Sequence, residues 1–332
     1  MLKRWFCLLL VLLLPTVALA KTPQPIDTIP FDELPEVLDG QHHYLMLCTD
    51  LWRTKVRPAD AKTPSYPGGQ RRDLYGNTDG IVLVTFDTRA HRIMLTSFIR
   101  DALIKKPNGA IGRINYVYND YGPEALCKVI SEHIGVRVEK YILFNFSQIQ
   151  SIIDYLGGVD ITINSEEAAY LKRYAIPRDS TTPRLRSGGT YHFRGHSAVI
   201  YMRIRKAGGG GDFMRTQRVR NVLSELADQC REISYEDARA LVDVILEQST
   251  MTNMSLNDVI AAMEQAYGLR GCTIEELRIP IDGAVHGIHY AGMDAQELDW
   301  GACRAAMADY LENSFLVLDE DDGFDDFLSY PE

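Results

Sequence analysis

The chain has 332 residues, a formal net charge of -10 and 46% hydrophobic residues. That hydrophobic content excludes a disordered protein, and the length allows one large or two ordinary domains with a sizeable core. An acidic chain of this kind is not a general nucleic-acid binder, which would show a basic surface, although a local basic pocket stays open.

The N-terminus reads as a targeting segment. Lys3 and Arg4 supply a positive start, Trp5 to Leu14 an apolar run, and Ala18-Leu19-Ala20 a small-residue cleavage site. The run is short against the roughly 20 apolar residues of a membrane span. Residues 1–20 are therefore expected to be a cleaved signal peptide, with an uncleaved anchor as the alternative. The working domain is then extracytoplasmic, secreted or held at the cell envelope. Residues 21–40 carry several prolines and read as a linker, and residues 316–332, with Asp319-Glu320-Asp321-Asp322, as an acidic disordered tail. Of the 6 cysteines, Cys7 lies in the signal, and Cys48 and Cys127 sit in apolar patterns. A disulfide among Cys230, Cys272 and Cys303 is open, and no C-x-x-C pair points to zinc.

Tyr44 to Cys48 predicts a buried strand ending at Asp50, followed by a long polar loop from about Trp52 to Thr78. Ile81–Phe86 and Ile93–Phe98 flank a polar turn and predict a hairpin. Folding that hairpin near Arg89 and Ala90 sets Asp79 opposite Arg100 at one end of the sheet. Gly122-Pro123-Glu124 starts a helix that ends before Gly135. Ser147 is a candidate N-cap for the next helix, which Gly157-Gly158 ends. Val159–Ile163 reads as a strand, 195–204 as a helix and 212–229 as a strong helix. Val219, Val222, Leu223 and Leu226 read as the core face of that last helix. Ser255 and Asp258 form a capping-box signal for another helix to about Tyr267. Alternating strands and helices predict an α/β domain with helices on both faces of one sheet.

The most informative stretch is Arg203-Ile204-Arg205, then a glycine run, then Asp212-Phe213-Met214-Arg215-Thr216-Gln217-Arg218. Four arginines gather around a helix start, where partial positive charge already disfavours cations. Such a cluster implies a bound anion, held by guanidinium forks and backbone N–H groups. Asp50, Asp79, Arg100 and Asp101 fall at the ends of predicted elements. Two carboxylates can hold Mg²⁺, and several arginines can neutralise a diphosphate, which together point to phosphoryl transfer or hydrolysis.

These segments resemble the LytR-CpsA-Psr (LCP) family of cell-wall phosphotransferases. The likeness is carried, in order, by Leu45 to Asp50, Thr78 to Leu83, Ser97-Phe98-Ile99-Arg100-Asp101, Arg113 to Tyr118, Leu156 to Asp160, Tyr201 to Arg205 and Asp212 to Arg218. It spans about residues 41–315. The resemblance implies a three-layer α/β/α sandwich with a central mixed sheet and a hydrophobic polyprenyl groove. It implies transfer of a glycopolymer, with its phosphate, from undecaprenyl pyrophosphate to a hydroxyl of peptidoglycan at the outer face of the cytoplasmic membrane. By carry-over, Asp50 and Asp79 hold Mg²⁺. Arg100, Arg203, Arg205 and Arg215 bind the pyrophosphate, with Arg218, Asn115 and Gln217 also on the substrate side. Asp101 accepts the attacking hydroxyl's proton or orients Arg100. The chain departs from the family pattern at Asn77, where an arginine is usual, and at Ile99, where a proline is usual.

Two further readings belong to other classes. A polyprenyl-pyrophosphate phosphohydrolase would use water as acceptor, and a lipid-binding envelope module would bind without turnover. A transcriptional regulator is disfavoured by export, acidity and the lack of a helix-turn-helix signal. No histidine is paired by motif with a nucleophile, so triad hydrolysis is also disfavoured.

Overall fold

A computed structural model describes residues 22–49, 76–174, 183–205, 207, 211–249 and 251–312. The expected signal segment, residues 50–75 of the expected polar loop and the expected acidic tail lie outside the described residues. Strands β1 (Gln41–Thr49), β2 (Thr78–Asp87) and β3 (Arg92–Phe98) come first, then the short pair β4 (Leu103–Lys105) and β5 (Ile111–Arg113). Helices α1 (Val117–Tyr121) and α2 (Pro123–Ile134) lead to β6 (Lys140–Asn145), α3 (Phe146–Tyr155), β7 (Val159–Ile163) and α4 (Ser165–Tyr174). Next are β8 (Gly189–Phe193), α5 (Gly195–Met202), α6 (Gly211–Gln229) and α7 (Tyr235–Gln248). The described chain closes with β9 (Met251–Thr252), α8 (Leu256–Gly268), β10 (Thr273–Ile279), β11 (Val285–Tyr290), β12 (Met293–Leu298) and α9 (Trp300–Glu312).

Six strands form one sheet in the order β10-β3-β2-β1-β6-β9. The pairs β10/β3 and β1/β6 are parallel and the others antiparallel, so the sheet is mixed. The fold is a three-layer α/β/α sandwich. Helices α2 and α9 cover one face, where Leu45, Leu47, Ile81 and Leu83 pack with Leu126, Ile130, Met307 and Tyr310. A second core joins α3, α5 and α6 to the antiparallel β7–β8 pair through Phe146, Ile153, Phe193, Ile200 and Val222. Between this core and the sheet runs an apolar groove, floored by Met46, Cys48, Gly80 and Val82. The central strands are apolar on both faces because one face meets the core and the other the groove.

Local signals account for most boundaries. The β2–β3 hairpin pairs Asp87 with Arg92 and Val82 with Ser97, the register expected from the sequence. Pro123 opens α2, and Gly135 ends it in the left-handed region at φ 76. The Ser255–Asp258 capping box opens α8 as expected. The cap of α3 differs from the expectation. Asn145, not Ser147, takes the role: its side chain accepts the Gln148 N–H at 3.0 Å, and the Gln148 side chain accepts the Asn145 N–H at 2.8 Å. That reciprocal pair satisfies two donors at once, which Ser147 inside the helix cannot do.

Two further expectations change. The described residues of the expected linker pack on the domain. Ile29 N–H bonds the Glu132 carbonyl at 3.0 Å, Arg137 stacks 4.8 Å from the Phe31 ring centroid, and Leu34 is buried. Cys230, Cys272 and Cys303 are free thiols, as are Cys48 and Cys127.

Gly195 brings the start of α5 onto the backbone of α3, because a Cβ there would overlap the carbonyl of Gln150. Gly195→Ala is expected to cost about 3 kcal/mol through this overpacking, read by urea denaturation. A cost under about 0.5 kcal/mol would show that α3 and α5 are not locked in this contact.

Candidate functional site

Asp79 anchors the site, and a backbone irregularity aims it. In regular alternation it would share the core face with Ile81 and Leu83. The β1–β2 register runs from Leu47↔Ile81 through Cys48↔Gly80 and then shifts to Thr49↔Thr78, which leaves Asp79 as the extra residue. A bulge of this kind turns a side chain away from its regular direction. Asp79 lines the groove mouth with Arg100, Arg203, Arg205 and Arg215.

Three guanidiniums converge on one oxygen. Asp79 Oδ1 accepts a hydrogen bond from Arg100 Nη1, and it stands 3.5 Å from Arg215 Nη1 and 3.9 Å from Arg205 Nη2. A second carboxylate, Asp212, sits in the first turn of α6, three residues before Arg215. Its Oδ1 lies 2.9 Å from Arg215 Nη2 and 3.7 Å from Arg100 Nε, and its Oδ2 accepts the Arg100 backbone N–H at 3.3 Å. Arg203, at the end of α5, lies 4.3 Å over the Phe146 ring, a cation–π contact where the polar mouth meets the apolar groove.

The electrostatics follow from this crowding. Burial pushes the Asp79 carboxyl up, but Arg215, Arg100 and Arg205 outweigh it and hold it below the usual carboxylate range. Burial and the neighbouring Arg100 and Arg215 push Arg205 below its ordinary value. Three guanidiniums, those of Arg100, Arg205 and Arg215, face the two carboxylates Asp79 and Asp212, so among these described groups cations outnumber anions by one. Asp101 does not correct this excess. It pairs with Arg113 at 3.0 Å and reaches Arg100 Nε only at 3.6 Å.

Behind this charged mouth lies a cavity of about 700 Å³. Its walls include Ile149, Ile152 and Leu156 of α3, Val219, Leu223 and Leu226 of α6, and Leu241 and Ile245 of α7. The stripe expected as core serves both: Val222 is buried in the second core with Val219 and Leu226 packed against it, and these three, with Leu223, also line the groove. The structure also relocates three expected substrate contacts. Gln217 turns toward β10, where its amide donates to Glu276 at 3.2 Å and to Asn221 at 2.9 Å. Arg218 is buried against Glu167 at 2.6 Å. Asn115 is 3% exposed; its N–H bonds the Arg100 carbonyl at 3.2 Å and its carbonyl accepts from Thr78 Oγ1 at 3.4 Å. None of the three lines the groove. Sequence reasoning missed Asp212 and Phe146, although an acidic first-turn residue three before an arginine was a usable signal.

Of the two expected metal ligands, Asp50 lies outside the described residues. Asp79 suits a hard cation: its guanidinium contacts all fall on Oδ1, leaving Oδ2 without a hydrogen bond among the described residues. Among those residues no group of three or more His, Cys, Asp or Glu is placed to hold a metal.

The α/β/α fold thus carries an apolar groove with arginines at its mouth. The chain belongs to the LytR_cpsA_psr family, whose model matches residues 59–302. It is 26% identical over 226 residues to the polyisoprenyl-teichoic acid–peptidoglycan teichoic acid transferase TagT of Bacillus subtilis, covering 67% of this chain and 66% of that protein. It is 24% identical to TagV of the same organism, covering 61% of this chain and 52% of the relative. The matches thus span about half to two thirds of these relatives. The solved structure of TagT bound to LI-WTA superposes with a TM-score of 0.62 at 19% identity, covering 84% of this chain and 93% of that one. YwtF (TagT) with bound octaprenyl pyrophosphate lipid gives a TM-score of 0.59 at 19% identity, covering 84% and 92%.

Leu223→Asp places a charge in the groove wall on a half-buried residue. It is expected to weaken binding of geranylgeranyl diphosphate about tenfold or more and to leave inorganic diphosphate binding unchanged, measured by calorimetry. Equal loss for both ligands would contradict the division into apolar groove and cationic mouth.

Proposed function

We propose that this protein is an extracytoplasmic, Mg²⁺-dependent phosphotransferase that moves a glycopolymer from undecaprenyl pyrophosphate to a hydroxyl of peptidoglycan. The observation that carries the reading is the continuity of an apolar groove with an excess of guanidinium charge. The groove suits a polyprenyl chain and the mouth suits its diphosphate. Family membership and the transferase names of the relatives support the same assignment.

In this reading Arg100, Arg203, Arg205 and Arg215 bind the two phosphates. The acceptor hydroxyl attacks the phosphorus that carries the glycopolymer, and its proton passes to the departing polyprenyl phosphate. The bond from that phosphorus to the bridging oxygen breaks, and polyprenyl phosphate leaves into the groove. Charge grows on the bridging and non-bridging oxygens as this happens, and fixed guanidiniums lower its cost without reorganising. Asp79 and Asp212 hold three of these arginines in place before the ligand arrives. Asp101, bound to Arg113 and near Arg100, takes the orienting role rather than that of proton acceptor. Asp79, with Asp50, would hold Mg²⁺, which supplies further neutralisation of phosphate oxygens when bound.

The test uses the purified chain with a polyprenyl-pyrophosphate glycan and a peptidoglycan acceptor, with and without Mg²⁺. Metal-dependent release of polyprenyl phosphate, coupled to glycan transfer, is expected. Arg203→Ala should slow it about a hundredfold. Release at the same rate without acceptor would favour a phosphohydrolase. Tight lipid binding without release would contradict catalysis and leave a binding module.

A further inference from the structure

Arg218 is 1% exposed and touches none of the groove, yet each of its three guanidinium nitrogens has a partner. Nε donates to Glu167 Oε1 at 2.6 Å, Nη1 to the carbonyl of Ile204 at 2.9 Å, and Nη2 to the carbonyl of Ala207 at 2.9 Å. The two carbonyls flank Arg205. Glu167 is itself fixed: its Oε2 accepts the Asn164 N–H at 2.9 Å, while its own N–H donates to Asn164 Oδ1 at 2.9 Å, capping α4.

Buried ion pairs are poor sources of stability, since desolvation offsets most of the attraction. This one does something an apolar pair of the same volume could not do: it grips backbone on both sides of a site arginine. The grip matters because the Arg205 side chain is 40% exposed, reaches Asp79 only at 3.9 Å and has the like charges of Arg100 and Arg215 beside it.

We infer that Arg218 and Glu167 are positioning residues for Arg205: they clamp the carbonyls of Ile204 and Ala207 and so hold Arg205 at the groove mouth against its cationic neighbours. The inference rests on reading the mouth as a diphosphate site. It gives the supporting role expected of Arg218 beside the pyrophosphate arginines a backbone target, and it brings in Glu167, which no motif singled out.

The test compares Arg218→Lys, which keeps the charge but cannot reach both carbonyls as a fork, with Glu167→Gln combined with Arg218→Met. The double variant removes both charges together and leaves no buried charge unpaired. Binding of geranylgeranyl diphosphate is measured by calorimetry in the full chain and again with Arg205→Ala or Arg203→Ala added. Each clamp variant should weaken binding about tenfold in the wild-type and Arg203→Ala backgrounds, and less than twofold with Arg205→Ala. Equal losses in all three backgrounds would overturn the inference, because a general packing defect is not specific to Arg205. Amide hydrogen exchange tests the clamp without ligand. Residues 203–207 should lose protection in both variants while β1 and β2 keep theirs, and unchanged protection at 203–207 would overturn it. Failure of the wild-type chain to bind the diphosphate would count against the proposed function alone, and the exchange result would still decide on the clamp.

Discussion

The site depends on one carboxylate oxygen. Asp79 Oδ1 draws Arg100, Arg205 and Arg215 together, and like charges would separate them if it did not. One oxygen cannot neutralise three guanidiniums, even with Asp212 beside it. Among the described residues the site is therefore held in shape with more guanidinium than carboxylate charge. A diphosphate would make up that deficit, and the groove behind the arginines gives its apolar tail a place to go. Affinity for the head and affinity for the tail then come from different parts of the fold, the first from strand ends and loops, the second from helix faces.

The second layer keeps this arrangement from relaxing. Asp101 pairs with Arg113, Arg203 rests on Phe146, and Arg218 with Glu167 holds the backbone around Arg205. Arg220 is buried in a parallel network, bonded to Glu276, Gln217 and Ser97, that ties α6 to β10 and β3. Helix α6 thus carries one arginine into the site and two into supports, all within six residues. Preorganisation of this kind lets guanidiniums stabilise developing charge without moving.

Much of this was legible in the sequence. The hairpin register alone brought Asp79 to Arg100, since two apolar runs around a short polar turn can fold in few ways. The arginine motifs marked the anion site, and the order of segments marked the family. What sequence could not show has physical causes. Val219, Leu223 and Leu226 repeat at helical spacing whether or not an apolar groove also opens beside the core they flank, so their second role as groove wall did not show. Arg215 and Arg218 share a side of α6, but a turn of rise separates a residue at the mouth from one beneath the loop. The bulge that turns Asp79 into the groove changes the register by one residue, which an alternation pattern does not reveal. The packing of residues 22–40 was hidden because a proline-rich segment can lie on a surface without periodicity.

The most direct measurement of the central claim is calorimetric titration of the purified chain with geranylgeranyl diphosphate and geranylgeranyl monophosphate under identical salt. The two ligands share a tail and differ only in head charge. A site short of negative charge should bind the diphosphate at least about tenfold more tightly, with the difference shrinking as ionic strength rises. Equal affinities, unaffected by salt, would mean that the groove binds lipid without reading its head, and would contradict the account.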